Sequence, residues 1–345
     1  MKLRVGVVGV GGIAVESHLP VFKNLKDVEV AAICDKRVSA AKECASQFGI
    51  KNVFGDMVDM LSKEKLDVVD ICTPPHTHVS LSIQAMEAGC HVLVEKPMAT
   101  SVQEADGMID SSKKHNVKLC VVHQNLCNPV VMKAKHLVET GVVGDLLNVV
   151  VQTFETKESE MCLNEDHWCH TLPGGIFYEI LPHPVYLLQS FLKDVTPVQV
   201  ISKKLGEVKW MKNDELRVLV EAENGLGSIV ASCNSPIHGD TLDILGSKIA
   251  LRADLWGRTL LTFRPRTQSS LSVGMSNLHL SLQLFKVIGS TASTFLKTFR
   301  GKVSAHYTFI SRFIDSILSD GEPPTTAEDG RETVKTVEAI CKQIG

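Results

Sequence analysis

The sequence is poor in the features that announce several common classes of protein. Its 10 cysteines include no Cys-x-x-Cys pair, so zinc-knuckle and thioredoxin-like chemistry have no foothold. It carries no excess of one charge. The formal net charge of −3 gives nucleic acid no electrostatic reason to bind. No apolar run reaches the length of a membrane-spanning helix. The opening MKLRVGVVGVGG has the basic start of a signal peptide, but glycines at 6, 9, 11 and 12 interrupt its apolar run. Glu16, Ser17, His18 and Pro20 follow, and no small-residue cleavage site comes after them, so a leader is not expected. Internal repeats and low-complexity tracts are also missing. What remains is ordinary globular composition, 44% hydrophobic and 22% charged over 345 residues, enough for two domains. Cys34, Cys72, Cys90, Cys120 and Cys233 lie in or beside apolar segments, as small buried hydrophobes do. Reduced thiols and a cytoplasmic location are expected.

The first 124 residues alternate short apolar runs with amphipathic stretches. Strands are expected at 3–8, 28–34, 68–72, 91–94 and 117–122, with helical spacing at 38–48 and 79–88. Strands alternating with helices imply right-handed crossovers and a doubly wound parallel sheet. The character then changes. Segments 146–155, 197–204, 216–222, 227–233, 241–246 and 248–254 read as strands joined by short turns such as Glu223-Asn224-Gly225, the pattern of a mostly antiparallel open sheet. Helices are expected at 129–140 and 327–343. The fold class is therefore α/β plus α+β, with a dinucleotide-binding domain at 1–124 and a substrate-binding and oligomerisation domain at 125–345. The apolar stretch 278–300, with Lys286, Lys297 and Arg300, is read as a core or subunit contact rather than a membrane-surface helix.

Four local patterns carry chemistry. Gly9-x-Gly11-x-x-Ala14, with Gly12 and Ile13 in the same turn, follows the first strand and opens a helix. The glycines permit a tight turn and close approach of a pyrophosphate, which the helix amino terminus attracts. Asp35 closes the second strand, placed to accept hydrogen bonds from an adenosine ribose; this favours NAD, while Lys36 and Arg37 leave NADP open. The loop ICTPPHTHVS, residues 71–80, is in plain structural terms a proline-stiffened turn capped by Thr77. Functionally, Thr73, Pro74 and His78 would line the nicotinamide half of a cofactor site. His76-x-His78 has no third ligand at usable spacing, so no metal is expected. The run VLVEKPMAT, residues 92–100, ends a buried strand in Glu95, Lys96 and Pro97. Alone it is a strand surfacing at a turn. At the carboxyl end of a parallel sheet, Lys96 can hold a substrate hydroxyl and favour the alkoxide formed as hydride leaves.

Together, the glycine fingerprint, Asp35, the Thr73-Pro74-Pro75 loop, Glu95-Lys96-Pro97 and the closing DGEPPTTAEDGRETV (320–334) resemble the Gfo/Idh/MocA family of glucose–fructose oxidoreductases, inositol dehydrogenases and rhizopine-catabolism proteins. The resemblance covers nearly the whole chain. It implies Lys96 as the catalytic lysine and Glu95 near the nicotinamide ribose. The family's second catalytic piece is matched by Gly174-Gly175, Glu179 and His183, spaced to share one helix face, with His183 as general base and Glu179 positioning it or binding a hydroxyl. This chain has Glu179 where the family usually has Asp. Pro182 and Pro184 flank His183 and threaten the helix. At 121–129 it has Gln124 and Asn125 with no arginine, which suits neutral hydroxyls better than an acidic sugar. Gln124 is assigned to the cofactor, and Asn125, His167 and Trp168 join Lys96, Glu179 and His183 as substrate candidates, Trp168 by stacking on a sugar-like ring.

The expected function is an NAD(P)-dependent oxidoreductase acting on a secondary alcohol or ketone of a sugar, nucleotide-sugar or cyclitol. A homodimer or homotetramer is expected. The alternatives are a non-catalytic NAD(H) sensor, or an NAD-dependent glycosidase or dihydrodiol dehydrogenase on the same fold.

Overall fold

The computed structural model describes residues 2–298 and 304–344, with backbone alone for 289–298. The chain folds as two compact units, Met1–Gln124 with Gly301–Lys335, and Asn125–Arg300 with Thr336–Gly345. The return of 301–335 to the first unit does not show in the alternation of strands and helices.

In the first unit, β1 (Leu3–Val8), β2 (Val28–Cys34), β3 (Asn52–Phe54), β4 (Val68–Ile71), β5 (His91–Val94) and β6 (Leu119–Val121) form one sheet in the order β3-β2-β1-β4-β5-β6. Every pairing is parallel. The order reverses between β1 and β4, the switch point at which open α/β sheets bind ligands beyond their strand carboxyl ends. Five strands fall where alternation places them; β3, three residues at the sheet edge, is too short to leave a pattern. The central strands are buried on both faces, so Val68–Ile71 and Val92–Val94 read as continuous apolar runs save for Asp70.

The crossovers are α1 (Leu19–Asn24), α2 (Val38–Phe48), α3 (Met57–Lys63), α4 (His78–Glu87) and α5 (Val102–His115). Their ends follow from local chemistry. Asp56 caps α3 by accepting from Val58 N at 2.8 Å. Ser101 Oγ accepts from Glu104 N at 3.2 Å while the Glu104 carboxylate accepts from Thr100 N at 2.8 Å, a reciprocal arrangement that starts α5. Asn116, left-handed at φ 52°, stops it.

The second unit begins with α6 (Pro129–Glu139), which Asn128 caps and Pro129 enters at its first position. Next come β7 (Leu146–Thr156), α7 (Glu160–Leu163), α8 (Ile176–Ile180) and α9 (Pro182–Gln189). Then β8 (Thr196–Lys203), β9 (Glu215–Ala222), β10 (Gly225–Ser235), β11 (Gly239–Gly246), β12 (Ala250–Asp254) and β13 (Thr259–Phe263) complete a seven-stranded sheet, order β13-β12-β11-β7-β10-β9-β8. It is antiparallel except where β10 lies parallel to β7. One face is buried, as the inward Leu216, Val218 and Val220 against outward Arg217, Leu219 and Glu221 show. Tyr178, Phe177, Val185, Leu187 and Leu188 of α8 and α9 fill that side.

The helix α10 (Ser270–Thr298) contradicts the core reading of 278–300: its described side chains are exposed or half-buried throughout, and Gln283 fastens it to Thr262 of β13. Phe299 and Arg300 of that stretch lie outside the described residues. After it, α11 (Ala305–Leu318) and α12 (Ala327–Cys341) close the chain. Phe309, Ile310 and Phe313 of α11 are fully buried, and Ala327 and Val334 of α12 enter the core of the first unit.

Candidate active site

In the first unit the predicted cofactor residues gather along the carboxyl edge of the sheet. Gly9, at φ 90°, turns the chain out of β1; a Cβ there would lie 2.6 Å from Cys72 O, so only glycine fits. Gly11 and Gly12 face open space, with nothing within 4 Å of an added Cβ. They leave the helix start bare on the side from which an anion would approach. Ile13 leads into a π-helical turn, Ala14–His18, that runs directly into α1. Ala14 is fully buried, the small residue that close packing requires.

Asp35 follows β2. One of its oxygens accepts from Val10 N at 2.9 Å and the other from Arg37 N at 2.8 Å, so β2's end is tied to the glycine turn. A carboxylate has about four acceptor sites, and the two that remain can serve ribose hydroxyls. Lys36 and Arg37 are exposed beside it. After β4, Thr77 Oγ donates back into the loop, 2.7 Å from Thr73 Oγ1 and 2.8 Å from Pro74 O, instead of capping α4. His78 is fully buried, its nitrogens 2.8 Å from Pro97 O and 2.7 Å from Thr73 O, and burial lowers its pKa. It braces the Thr73 loop against the Glu95–Pro97 loop and offers no nitrogen to a metal.

Glu95 and Lys96 leave β5 between β4 and β6, with Glu95 N donating to Ile71 O at 3.0 Å. The Lys96–Pro97 bond is cis. Beneath them lies a buried charge cluster that spacing does not reveal. His18 Nδ1 donates to Asp70 and Nε2 to Glu95, each at 3.0 Å. Two carboxylates facing two ring nitrogens are satisfied together only by the imidazolium. Burial alone would lower the His18 pKa, but Asp70 and Cys72 outweigh it and hold it well above 6.5. Burial would likewise raise Glu95; His18, Lys96 and His306 prevail and hold it down to about 2. His306 of α11 lies 5.8 Å from His18, ring to ring. Burial and the His18 cation push its pKa down to about 4, and its Nε2 has no hydrogen-bond partner among the described residues. His18, Glu95 and His306 are close enough to share a metal, but His18 already spends both nitrogens on carboxylates.

The edge fits a dinucleotide on three observations. Gly11 and Gly12 leave the backbone at the helix start open, with nothing within 4 Å of an added Cβ. Asp35 keeps acceptor capacity. Gln124 Oε1, just beyond β6, is buried with no hydrogen-bond partner among the described residues, an acceptor suited to a ribose hydroxyl or carboxamide donor.

In the second unit, Gly174 and Gly175 take φ of 88° and 62°, and Gly175 starts α8. Glu179 lies in α8 and His183 in the first turn of α9. The two prolines do little harm there. Pro182 is the first residue of α9 and Pro184 the third, where backbone N–H groups have no intrahelical partner to lose. Leu181 stays right-handed helical, and Leu181 N and Val185 N still donate to residues four earlier, at 2.9 and 3.0 Å. The helix is jointed at 181, and the four-residue spacing of Glu179 and His183 survives.

His183 Nδ1 lies 2.8 Å from Tyr186 Oη, which accepts from Asn125 N at 3.3 Å. Asn125 and Thr153 hydrogen-bond Asp240, whose carboxyl burial pushes up. Beside it His238 Nδ1 donates to Glu155 at 3.0 Å, and Trp256 stands edge-on to His238 at 4.6 Å. His183 and Asn125 thus belong to one polar cluster with Tyr186, Thr153, Glu155, His238 and Asp240. Tyr186 comes from the same helix as His183, whereas Thr153 and Glu155 come from β7, Asp240 from β11 and His238 from just before β11. His167 and Trp168 stack on each other at 4.9 Å, with Trp168 half-buried against the core of the second unit.

Comparison with known proteins agrees with the fold. Residues 3–123 match the oxidoreductase family with an NAD-binding Rossmann fold, and residues 131–252 match the GFO/IDH/MocA C-terminal domain. The D-glucoside 3-dehydrogenase of Escherichia coli is 33% identical over 144 residues, 42% of this chain and 41% of that protein. The chain therefore aligns with about two-fifths of that relative's length. Among solved structures, the WlbA dehydrogenase of Bordetella pertussis in complex with NADH and UDP-GlcNAcA superposes with a TM-score of 0.80 at 22% identity, covering 100% of this chain and 97% of that one. The scyllo-inositol dehydrogenase of Lactobacillus casei with bound NAD(H) and scyllo-inositol gives 0.80 at 20% identity, covering 99% and 97%.

Proposed function

The chain belongs to the GFO/IDH/MocA oxidoreductase family, and on that premise we propose that it is an NAD-dependent dehydrogenase of a neutral polyhydroxylated ring, a sugar, nucleotide-sugar or cyclitol. The observation that supports it best is Lys96 at the carboxyl end of β5, next to a Glu95 carboxylate fixed by His18, on the sheet edge that also carries the glycine turn and Asp35.

Gly11, Gly12, Asp35, Thr73, Pro74, Glu95 and Gln124 are the residues that would hold the dinucleotide. When bound, NAD supplies the hydride acceptor at nicotinamide C4. Lys96 Nζ binds the reacting oxygen and stabilises the negative charge that grows on it. His183, oriented through Nδ1 by Tyr186 Oη, takes the hydroxyl proton and returns it in the reverse direction. Each role is assigned from the residue's own surroundings and its match to the family pattern. Glu155 and Asp240, in the cluster of His183, disfavour a substrate carboxylate close by. That supports the neutral-hydroxyl reading which the missing arginine at 121–129 suggests.

Turnover of NAD with a panel of neutral sugars and cyclitols tests the proposal, alongside mass spectrometry of small molecules retained on purification. Lys96→Ala is expected to lower kcat by about 10²–10³-fold while NADH binding stays within a few-fold. Turnover unchanged by that substitution sinks the assignment.

A further inference from the structure

The helix α10 is built inside out. Its half-buried positions among the described side chains are Ser272, Ser276, His279, Leu280, Gln283 and Val287, four of the six polar. Gln283 Oε1 accepts from Thr262 N at 2.8 Å, and its amide donates to Thr262 O at 2.9 Å, so a polar strip fastens the helix to β13. The face turned to solvent carries Leu271, Met275, Leu278, Leu282 and Phe285, spaced four, three, four and three, with Ile288 beyond. Leu271 and Phe285 are 78% and 71% exposed. A surface helix of a globular protein ordinarily shows the opposite arrangement. Leu284 included, these side chains expose roughly 800 Å² of apolar surface, above the ~300–600 Å² of the largest patch on a typical monomer.

The charge of this segment of sequence has one sign. From Leu255 to Arg300 the sequence has six basic residues and no Asp or Glu, so the chain's −3 comprises +6 here and −9 elsewhere. Arg264 and Arg266 are exposed at the approach to the helix, and Lys286 is exposed beside Phe285. Lys297 and Arg300 are counted from sequence alone. No helix among the described residues is long and apolar enough to cross a membrane. An apolar face flanked by cations, on a helix that does not span, suits the boundary between headgroups and acyl chains.

We infer that α10 seats the second unit on an anionic lipid surface, with Leu271, Met275, Leu278, Leu282 and Phe285 in the acyl boundary and Arg264, Arg266 and Lys286 on the headgroups. The patch size suits a second copy of the chain equally well, since a standard interface buries about 800 Å² per partner. Charge decides against the copy. Two such faces would bring cation to cation, with no acidic residue in the segment to pair them. An anionic bilayer supplies the apolar phase and the counter-charge together. The helix lies beyond residue 252, where the family match ends, so this inference stands apart from the dehydrogenase assignment.

The test is co-sedimentation of the full chain with vesicles of phosphatidylcholine alone, or with about 30% phosphatidylglycerol. Binding is expected to the anionic vesicles, at least about tenfold over the neutral ones, and weakened several-fold on raising salt from about 0.1 to 0.5 M. Leu282→Ser/Phe285→Ser should reduce it about tenfold or more with the circular dichroism spectrum unchanged, and Arg264→Gln/Arg266→Gln should reduce it roughly fivefold per cation removed. Wild-type protein that stays in the supernatant overturns the inference. So does a Leu282→Ser/Phe285→Ser variant that binds as well as wild type. A dimer in sedimentation velocity that this double variant dissolves, without vesicle binding, reassigns α10 to a contact between copies.

Discussion

Replacing His18 by Gln removes the cation from between two buried carboxylates, and its cost can be worked from the geometry. His18 and Asp70 are fully buried, Glu95 is 6% exposed, and both ring nitrogens donate at 3.0 Å. The Glu95 carboxyl falls from an ordinary 4.5 to about 2, with His18 the strongest of the groups that lower it. A displacement of that size is worth roughly 3 kcal/mol at neutral pH, within reach of the ~3–5 kcal/mol measured when one partner of a buried pair is removed. The signs fix the pH window. The lowered Glu95 pKa adds stability above 4.5 that is lost as pH falls through about 2. The raised His18 pKa adds stability below 6.5 that is lost as pH rises through its folded value. The variant should therefore be weakest against wild type near neutrality, with the deficit shrinking toward about pH 4 as its unpartnered Glu95 carboxylate takes up a proton. Scanning calorimetry at several pH values is the assay. At pH 7 a Tm lower by about 6–12 °C is expected for a unit of this size. A shift under about 2 °C, or a deficit that grows on acidification, refutes the clamp.

Other positions give sharper single readouts. Gly9→Ala places a methyl 2.6 Å from Cys72 O in a left-handed residue; it should cost at least about 1–2 kcal/mol and abolish NADH-induced stabilisation, as a thermal shift assay would show. Tyr186→Phe removes the hydroxyl that orients His183. It is expected to lower kcat about tenfold with little change in KM, while the reverse split in steady-state kinetics counts against that role. Asp56→Ala deletes the cap of α3 and should cost about 1 kcal/mol by urea titration with activity intact.

The strand ends that carry the proposed cofactor residues were legible because each combines a hydrophobic run with an abrupt chemical change. Val94 to Glu95 and Cys34 to Asp35 are examples. In a parallel sheet all such ends fall on one edge, so local reading is enough to bring the glycine turn, Asp35, Glu95 and Lys96 to that edge. The charge cluster was not legible, because Asp70 sits inside a strand and His18 inside a helix, where polar residues carry no motif. Neither were Thr153, Glu155, His238 and Asp240, which an antiparallel sheet brings together across 88 positions of sequence. Pro182 and Pro184 were the reverse case. Sequence argues that they break the helix, and it is indeed divided at Leu181, but the second helix starts at Pro182, where a missing N–H costs little. The polar underside of α10 was invisible for a simpler reason: hydropathy shows that a helix has an apolar face, not which way that face turns.

The first unit borrows its last pieces from the far end of the chain. Phe309, Ile310 and Phe313 pack into it, and His306 lies beside His18. On a ribosome making about 5–20 residues per second, roughly 10–40 s separate β6 from α11. Through that interval the nascent sheet has its glycine turn and Asp35 but not the helix that covers its charge cluster. Synthesis order has a consequence: a chain aborted before residue 305 carries every motif proposed to face the cofactor and still lacks the part that completes the unit around them.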